Sequence, residues 1–374
     1  MSAGRIRFLR PSVPALDEVT RLYEEIYGTG LLTNGTLVKR FENACAKRLG
    51  VRHCVAVSSC TSGMMLVWKA LTLAGEVILP SFTFFASGHA VRWNHLDPVF
   101  ADIDPDTWTV DPASVERCIT PRTRAILGVH LYGNPCDVEG LQDVASRHGL
   151  RLVFDAAHAF GSEWQGTPVG CFGDAEVFSF TPTKTLVCGE GGIVATNDSA
   201  LAHRVRAGRN YGDLGAYDPE LLGMNARMQE FPAAMGLAGL TSVSAKVARH
   251  NQIARMYQDA LRGLPGISFP VVRPGNLCTF KDVSLGIDDP DRVAAMLLEE
   301  GIETKRYFYP PLHEQALYRS QPDVPHTRHI AQRVLSLPVY ESLTEQEVER
   351  IISALAACVQ SGPAQPALRQ SAQR

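Results

Sequence analysis

The chain holds nine cysteines but no Cys-x-x-Cys pair. An odd number of scattered thiols argues against a disulfide framework and against a cysteine zinc site, and it predicts reduced thiols in a cytoplasmic setting. No apolar run is long enough to span a bilayer. Residues 1–11 are basic but have no long apolar stretch, so a secretory signal is not expected. The formal net charge is only -3, which removes the electrostatic case for general nucleic-acid binding. There is no Walker A loop and no His-Glu-x-x-His. The glycines at 189, 191 and 192 precede a strand-like run, the wrong order for a dinucleotide fingerprint. Internal repeats and heptads are also missing.

What is there is an ordinary soluble composition in 374 residues, enough to bury a large core. Strand-like and helix-like stretches alternate between about residues 36 and 210. Strands are predicted at 53–57, 76–79, 98–101, 125–129, 152–155, 175–180 and 192–196, and helices at 38–49, 62–73, 85–93 and 138–148. Strands separated by helices imply an α/β fold with a mostly parallel sheet, and unbroken apolar runs fit strands covered on both faces. Beyond residue 240 the spacing predicts a long helix at 242–264, then helices at 291–300 and 345–358. The reading is a large domain at 1–240, a smaller C-terminal α/β domain at 241–358, and a disordered tail at 359–374, rich in Gln, Ala, Ser and Pro.

Ligands of open parallel sheets bind outside the carboxyl ends of the strands, and the unusual residues fall there. Lys184 follows Phe178-Ser179-Phe180-Thr181-Pro182-Thr183, a strand breaking into a turn. Asp155 ends Leu152-Val153-Phe154-Asp155, and small residues follow it. A lysine and an aspartate at two strand ends meet the paired needs of pyridoxal 5'-phosphate (PLP): an amine for the Schiff base and a carboxylate for the pyridine nitrogen. Ser58-Ser59-Cys60-Thr61-Ser62-Gly63 joins a strand to a helix, so its backbone N–H groups suit a phosphate. The hydroxyls of Ser59, Thr61 and Ser62 could add bonds, or simply cap the helix. Ser179 could reach the same phosphate or complete a turn. Phe84 could stack on a pyridine face or belong to the core. His158 reads equally as a hydrogen-bonded structural histidine. Arg204, Arg206 and Arg209 read first as a solvated helix face, and second as a seat for a nucleotide diphosphate.

Taken together these segments resemble the DegT/DnrJ/EryC1/StrS family of PLP-dependent sugar aminotransferases, of fold type I (aspartate aminotransferase-like). The resemblance runs from about residue 31 to 240 and resumes at 301–352. It rests on Asn34-Gly35 with Phe41-Glu42, Pro80-Ser81-Phe82-Thr83-Phe84, Val129-His130-Leu131-Tyr132-Gly133 and Asp155-Ala156-Ala157-His158-Ala159. The Lys184 segment with Glu190-Gly191-Gly192, Arg209-Asn210-Tyr211-Gly212, Gly223-Met224-Asn225-Ala226-Arg227-Met228 and Pro311-Leu312-His313 complete it.

The resemblance implies roles. Lys184 would hold PLP and, once released, move the proton between the donor Cα and the cofactor. Asp155 would pair with the ring nitrogen and Phe84 would stack on the ring. The backbone of Cys60 and Thr61, with Ser59 and Ser179, would hold the phosphate. His158 stands where many members have glutamine, near the ring hydroxyl. Asn225 would cross the interface of a homodimer to the partner's phosphate. Arg227, Tyr309 and His313 would line the substrate cleft. Cys60 departs from the usual glycine of the phosphate loop, which tightens the backbone approach and places a thiol beside the cofactor. The implied reaction passes an amino group from glutamate or glutamine to a keto-sugar, expected to be nucleotide-linked, in amino-sugar or antibiotic biosynthesis. A keto-cyclitol acceptor is the alternative. A sugar dehydratase of the group would carry histidine in place of Lys184, and a PLP-sensing regulator should add a DNA-binding segment that is not visible here. No membrane or nucleic-acid partner and no metal is expected.

Overall fold

A computed structural model describes residues 4–360. In chain order its elements are α1 (Leu16–Thr29), α2 (Thr36–Leu49), β1 (His53–Val57), α3 (Cys60–Leu71), β2 (Glu76–Pro80), α4 (Phe85–Trp93) and β3 (Asp97–Ala101). Next come α5 (Pro112–Arg117), β4 (Thr123–Val129), α6 (Val138–His148), β5 (Arg151–Asp155), the short hairpin β6 (Glu163–Trp164) and β7 (Thr167–Pro168), β8 (Ala175–Ser179), β9 (Gly192–Thr196) and α7 (Ser199–Gly208). The remainder is α8 (Glu230–Gly239), α9 (Val243–Leu261), β10 (Val283–Gly286), α10 (Pro290–Glu299), α11 (Pro325–Arg333), β11 (Val334–Leu337) and α12 (Glu345–Gln360).

Seven strands form the central sheet in the order β1-β9-β8-β5-β4-β2-β3. β8 and β9 are buried along their whole length and β1, β2 and β5 along all but their first residue, as expected of runs covered by helices on both sides. The pairs β2–β3, β2–β4, β4–β5 and β5–β8 are parallel, whereas β9 runs antiparallel to both β8 and β1. The reversal has a local cause. Parallel neighbours need a crossover, usually a helix, but β8 reaches β9 through a loop that returns directly along the sheet. That loop carries Lys184. Because β9 reverses twice, β1, β2, β4, β5 and β8 all end on one edge, and the loops after them meet there.

Helix α2 begins without a capping side chain of its own. Instead, the buried carboxylate of Glu230, in the first turn of α8, accepts from the amides of Gly35 (2.9 Å), Leu37 (2.8 Å) and Val38 (2.9 Å). An anion at a helix N-terminus satisfies donors that have no partner within the helix. Glu230→Ala strands three amides in the core, each worth about 1–3 kcal/mol if left unpaired. The expected result is a loss of about 3 kcal/mol or more, read as a lower urea midpoint with unchanged slope.

The C-terminal part has its own core, in which α9, α10 and α12 enclose the antiparallel pair β10–β11. The division at residues 240/241 stays a proposal, and the packing departs from it twice. Ile6 bridges Ile302 and lies in the C-terminal core, so the N-terminal strap packs away from the large sheet. Helix α9 serves both cores, with Val243 and Val247 against the sheet side and Ile253, Ala254 and Tyr257 in the C-terminal one. At the far end, α12 continues through Val359 and Gln360, two residues that the sequence assigned to the tail. The rest of the expected tail, 361–374, lies outside the described residues. Among the described residues, which include all nine cysteines, no disulfide is formed. Among the described residues no helix is long and apolar enough to cross a membrane.

Candidate active site at the carboxyl edge of the sheet

The loops at the strand ends enclose a cavity of about 350 Å³, within the roughly 300–1,000 Å³ of small-molecule sites. Its lining includes Ser59, Cys60, Thr61, Phe84, Asp155, His158, Ser179 and Lys184. The fold thus brings eight of the twelve candidate residues to one place. The other four are not on this lining. Asn225 is exposed and accepts from Arg227 Nε at 3.3 Å. Arg227 lies over the Tyr211 ring, and the exposed Tyr309 ring lies under Arg306. His313 is buried, its Nδ1 2.6 Å from Ser81 Oγ and its amide donating to the same hydroxyl.

At the β1–α3 junction the cap and the anion seat coexist. Ser59 accepts from the Ser62 amide and Ser62 Oγ from the Ser59 amide, both at 3.1 Å. The amides of Cys60 and Thr61, in the first turn, have no acceptor within the helix and stand at its positive end. β9 comes close beneath, and a Cβ at Gly192 would lie 2.7 Å from the Cys60 nitrogen, so only glycine fits there. The Cys60 side chain turns inward, with Sγ donating to Val177 O at 3.5 Å. Burial, and then Asp155, push the thiol well above its ordinary range. The expected thiol beside the cofactor is therefore held protonated, its side chain packed into the core at the start of α3.

Asp155 is held from two sides. Ser87 Oγ donates to Oδ2 at 2.7 Å, the Ala157 amide donates to Oδ1 at 3.0 Å, and Thr83 Oγ1 lies 3.1 Å from Ser87. Nothing in the sequence marked Ser87, which becomes a neighbour of Asp155 only when α4 packs over the end of β5. His158 accepts the Tyr132 amide on Nδ1 at 3.1 Å, which leaves its ring proton on Nε2. Burial, and then Lys184 and Lys281, hold it well below the usual histidine value, so it is a neutral donor. The Phe308 ring stacks on it, with centroids 6.2 Å apart. Arg209, expected on a solvated face, is buried and donates to Glu42 and to the β1 carbonyl of Ala56 (2.6 Å), so it belongs to the scaffold.

Burial, and next the nearby cation of Lys281, lower Lys184 from 10.5 to about 8. The sign follows from desolvation and like charge, both of which disfavour the ammonium. Covalent uptake of an aldehyde needs the free amine. The rate at which apoprotein captures PLP is expected to rise with pH to a midpoint near 8, followed by stopped-flow absorbance. A midpoint near 10 would contradict this environment. Missed by the sequence altogether are Lys281, Tyr307 and Phe308, which also line the cavity.

The donor set suits PLP: orphan amides at a helix N-terminus for a phosphate, a carboxylate held at the cavity wall for a ring nitrogen, a neutral N–H donor, and an amine with lowered basicity. Among the described residues no cluster of His, Cys, Asp and Glu could hold a metal.

A model of the DegT/DnrJ/EryC1/StrS aminotransferase family matches residues 16–356. The dTDP-4-amino-4,6-dideoxy-D-glucose transaminase of Escherichia coli is 33% identical, over 95% of this chain and 99% of its own length. The dTDP-3-amino-3,4,6-trideoxy-alpha-D-glucose transaminase of Streptomyces venezuelae is 35% identical, over 92% and 96%. Among solved structures, DesI in the presence of its TDP-sugar product has a TM-score of 0.92 and 41% identity, covering 96% of this chain and 94% of that one. NtdA from Bacillus subtilis with bound cofactor PMP has a TM-score of 0.88 at 26% identity, covering 96% and 86%.

Proposed function

The chain belongs to the DegT/DnrJ/EryC1/StrS aminotransferase family, is a PLP-dependent aminotransferase of fold type I, and from that premise we propose that it aminates a nucleotide-linked keto-sugar at the expense of glutamate or glutamine. The carrying observation is that Lys184 and Asp155 line one cavity together with the helix N-terminus at Cys60 and Thr61. The transaminases quoted above act, by their names, on dTDP-linked amino sugars, which supports a nucleotide sugar over a free sugar or a cyclitol.

When bound, PLP supplies an electron sink for the charge that develops at the carbon losing its proton. In our reading the protein does the rest. The amides of Cys60 and Thr61, with the hydroxyls of Ser59 and Ser179, hold the phosphate. Asp155, oriented by Ser87 and the Ala157 amide, keeps the ring nitrogen protonated. His158 would donate from Nε2 to the ring hydroxyl, and Phe84 would cover the ring. Lys184 would anchor the cofactor and, as the free amine, would take the proton from the donor Cα. Its lowered basicity places the amine near the pH at which it works. Phe84, Tyr307 and Phe308 give that exchange an aromatic wall.

We also propose that the functional unit is a homodimer. The exposed Asn225 and the half-buried Arg227, absent from their own chain's cavity, would then complete the site of the partner.

The test is direct. PLP-loaded protein with glutamate or glutamine is given a panel of nucleotide-linked 3-keto and 4-keto hexoses, free keto-sugars and keto-cyclitols, and products are read by mass spectrometry. Exchange of a keto oxygen for an amine on a nucleotide sugar is the expected result. Turnover confined to free sugars or cyclitols would overturn the nucleotide-sugar reading.

A further inference from the structure

Among the described residues the cavity lining carries two side-chain amines, Lys184 and Lys281, and no guanidinium. Lys281 lies in a segment without helix or strand, between α9 and β10. That segment is fixed to the site by its backbone and by Thr279. The Lys281 amide donates to Tyr132 O at 2.9 Å, and Thr279 Oγ1 donates to His158 O at 2.7 Å. The Lys281 side chain is about nineteen-twentieths buried, yet reaches the cavity. Nζ sits 5.1 Å from the centroid of the Tyr307 ring. Its counter-ion is Asp282, with both carboxylate oxygens 2.8 Å from Nζ. Asp282 is itself buried and is not on the cavity lining. Of this ion pair, the residue that carries the cation is on the cavity lining and the one that carries the anion is not.

A buried ammonium is costly unless a partner holds it, and an ordinary solvent-facing role would not call for burial. Resting on the aminotransferase reading above, we propose that Lys281 seats the α-carboxylate of the amino donor. The donor nitrogen has to take the place of the Lys184 nitrogen, so its Cα and α-carboxylate must come to rest beside Lys184. Lys184 cannot be the carboxylate's partner, because it must act on the adjacent proton as a free base. Lys281 is the remaining cation that the chain places on its own lining, whereas Arg227 would enter only from a partner; Lys281 also shares with Lys184 a narrow cleft beside Arg10, His250 and Glu341. An ammonium has three donors, so Asp282 need not be displaced when a carboxylate arrives.

The experiment separates the two halves of the reaction in PLP-loaded protein. The first half is followed as the spectral change on adding glutamate. The second is followed by adding the keto-sugar to the aminated form. Lys281→Gln removes the charge but keeps an N–H for Asp282. It is expected to weaken donor binding, as a higher apparent Kd for glutamate, by roughly 10- to 100-fold, and to leave the apparent Kd for the keto-sugar within about twofold, whereas the rate constants of both halves shift together through the basicity of Lys184. Lys281→Arg should recover most of the donor affinity. Calorimetry with glutarate, an unreactive dicarboxylate, should show the same loss without any turnover. A measurement on the unaltered protein stands beside these: glutamate should bind at least tenfold more tightly than its α-amide. Equal loss of affinity in both halves, loss of affinity confined to the keto-sugar half, or equal binding of glutamate and its α-amide would each overturn the proposal. If the unaltered protein takes up no amino group at all, the aminotransferase reading itself fails, which is a different result from unchanged donor binding in Lys281→Gln.

Discussion

Lys184→Ala is expected to reduce amino transfer to the keto-sugar by at least 10²- to 10⁴-fold, the contribution of a positioned acid/base group alone. Loss of the covalent anchor adds to this, so the measured rate should fall to background. The argument is geometric as well as chemical. Lys184 is set by the turn in which its amide donates to Thr181 O at 3.0 Å, and that turn lies in the loop by which the chain reverses from β8 into β9. No other amine except Lys281 lines the cavity among the described residues, and Lys281 is engaged by Asp282. The variant should still bind PLP, because the amides of Cys60 and Thr61 are backbone groups, but borohydride should no longer fix the cofactor to the protein. A variant that keeps a tenth of the activity, or still traps cofactor covalently, would remove Lys184 from its proposed role.

Asp155→Asn is the second large effect. It keeps the shape and leaves an oxygen for Ser87 or for the Ala157 amide, so the fold should survive. What is lost is the negative charge that holds a proton on the ring nitrogen. Removing one preorganised electrostatic group of this kind costs about 10²- to 10³-fold in kcat, and that is the expected loss in both halves of the reaction. Reconstitution with a PLP analogue methylated on the ring nitrogen, which is permanently cationic, should recover part of the activity in Asp155→Asn and not in Lys184→Ala. Equal rates for Asp155→Asn and the unaltered protein would show that this carboxylate does not face the nitrogen.

Much of this site was legible because chemistry sat next to punctuation. Lys184 and Asp155 each end an apolar run, and Ser59 starts an amphipathic one, so local patterns placed them on one edge of a sheet. The strand windows agreed closely with β1, β2, β4, β5, β8 and β9, since fully buried strands leave an unbroken apolar signature. The direction of β9 was not legible: an apolar run reads the same in either orientation, and only the missing crossover helix decides it. Short elements such as α5 and the β6–β7 hairpin, and the helices α1, α8 and α11, escaped because they bury few large apolar residues of their own.

The sequence by itself determined the α/β class and the cofactor chemistry, because periodicity and strand ends are local properties of the chain. Only the tertiary structure decided that Cys60 turns its thiol inward, that Arg209 is a buried support for Glu42, that Ser87 steadies Asp155, and that Lys281 reaches the cavity. Each of these depends on where a side chain's Cβ points once remote segments have packed, and no pattern along the chain encodes a direction in space.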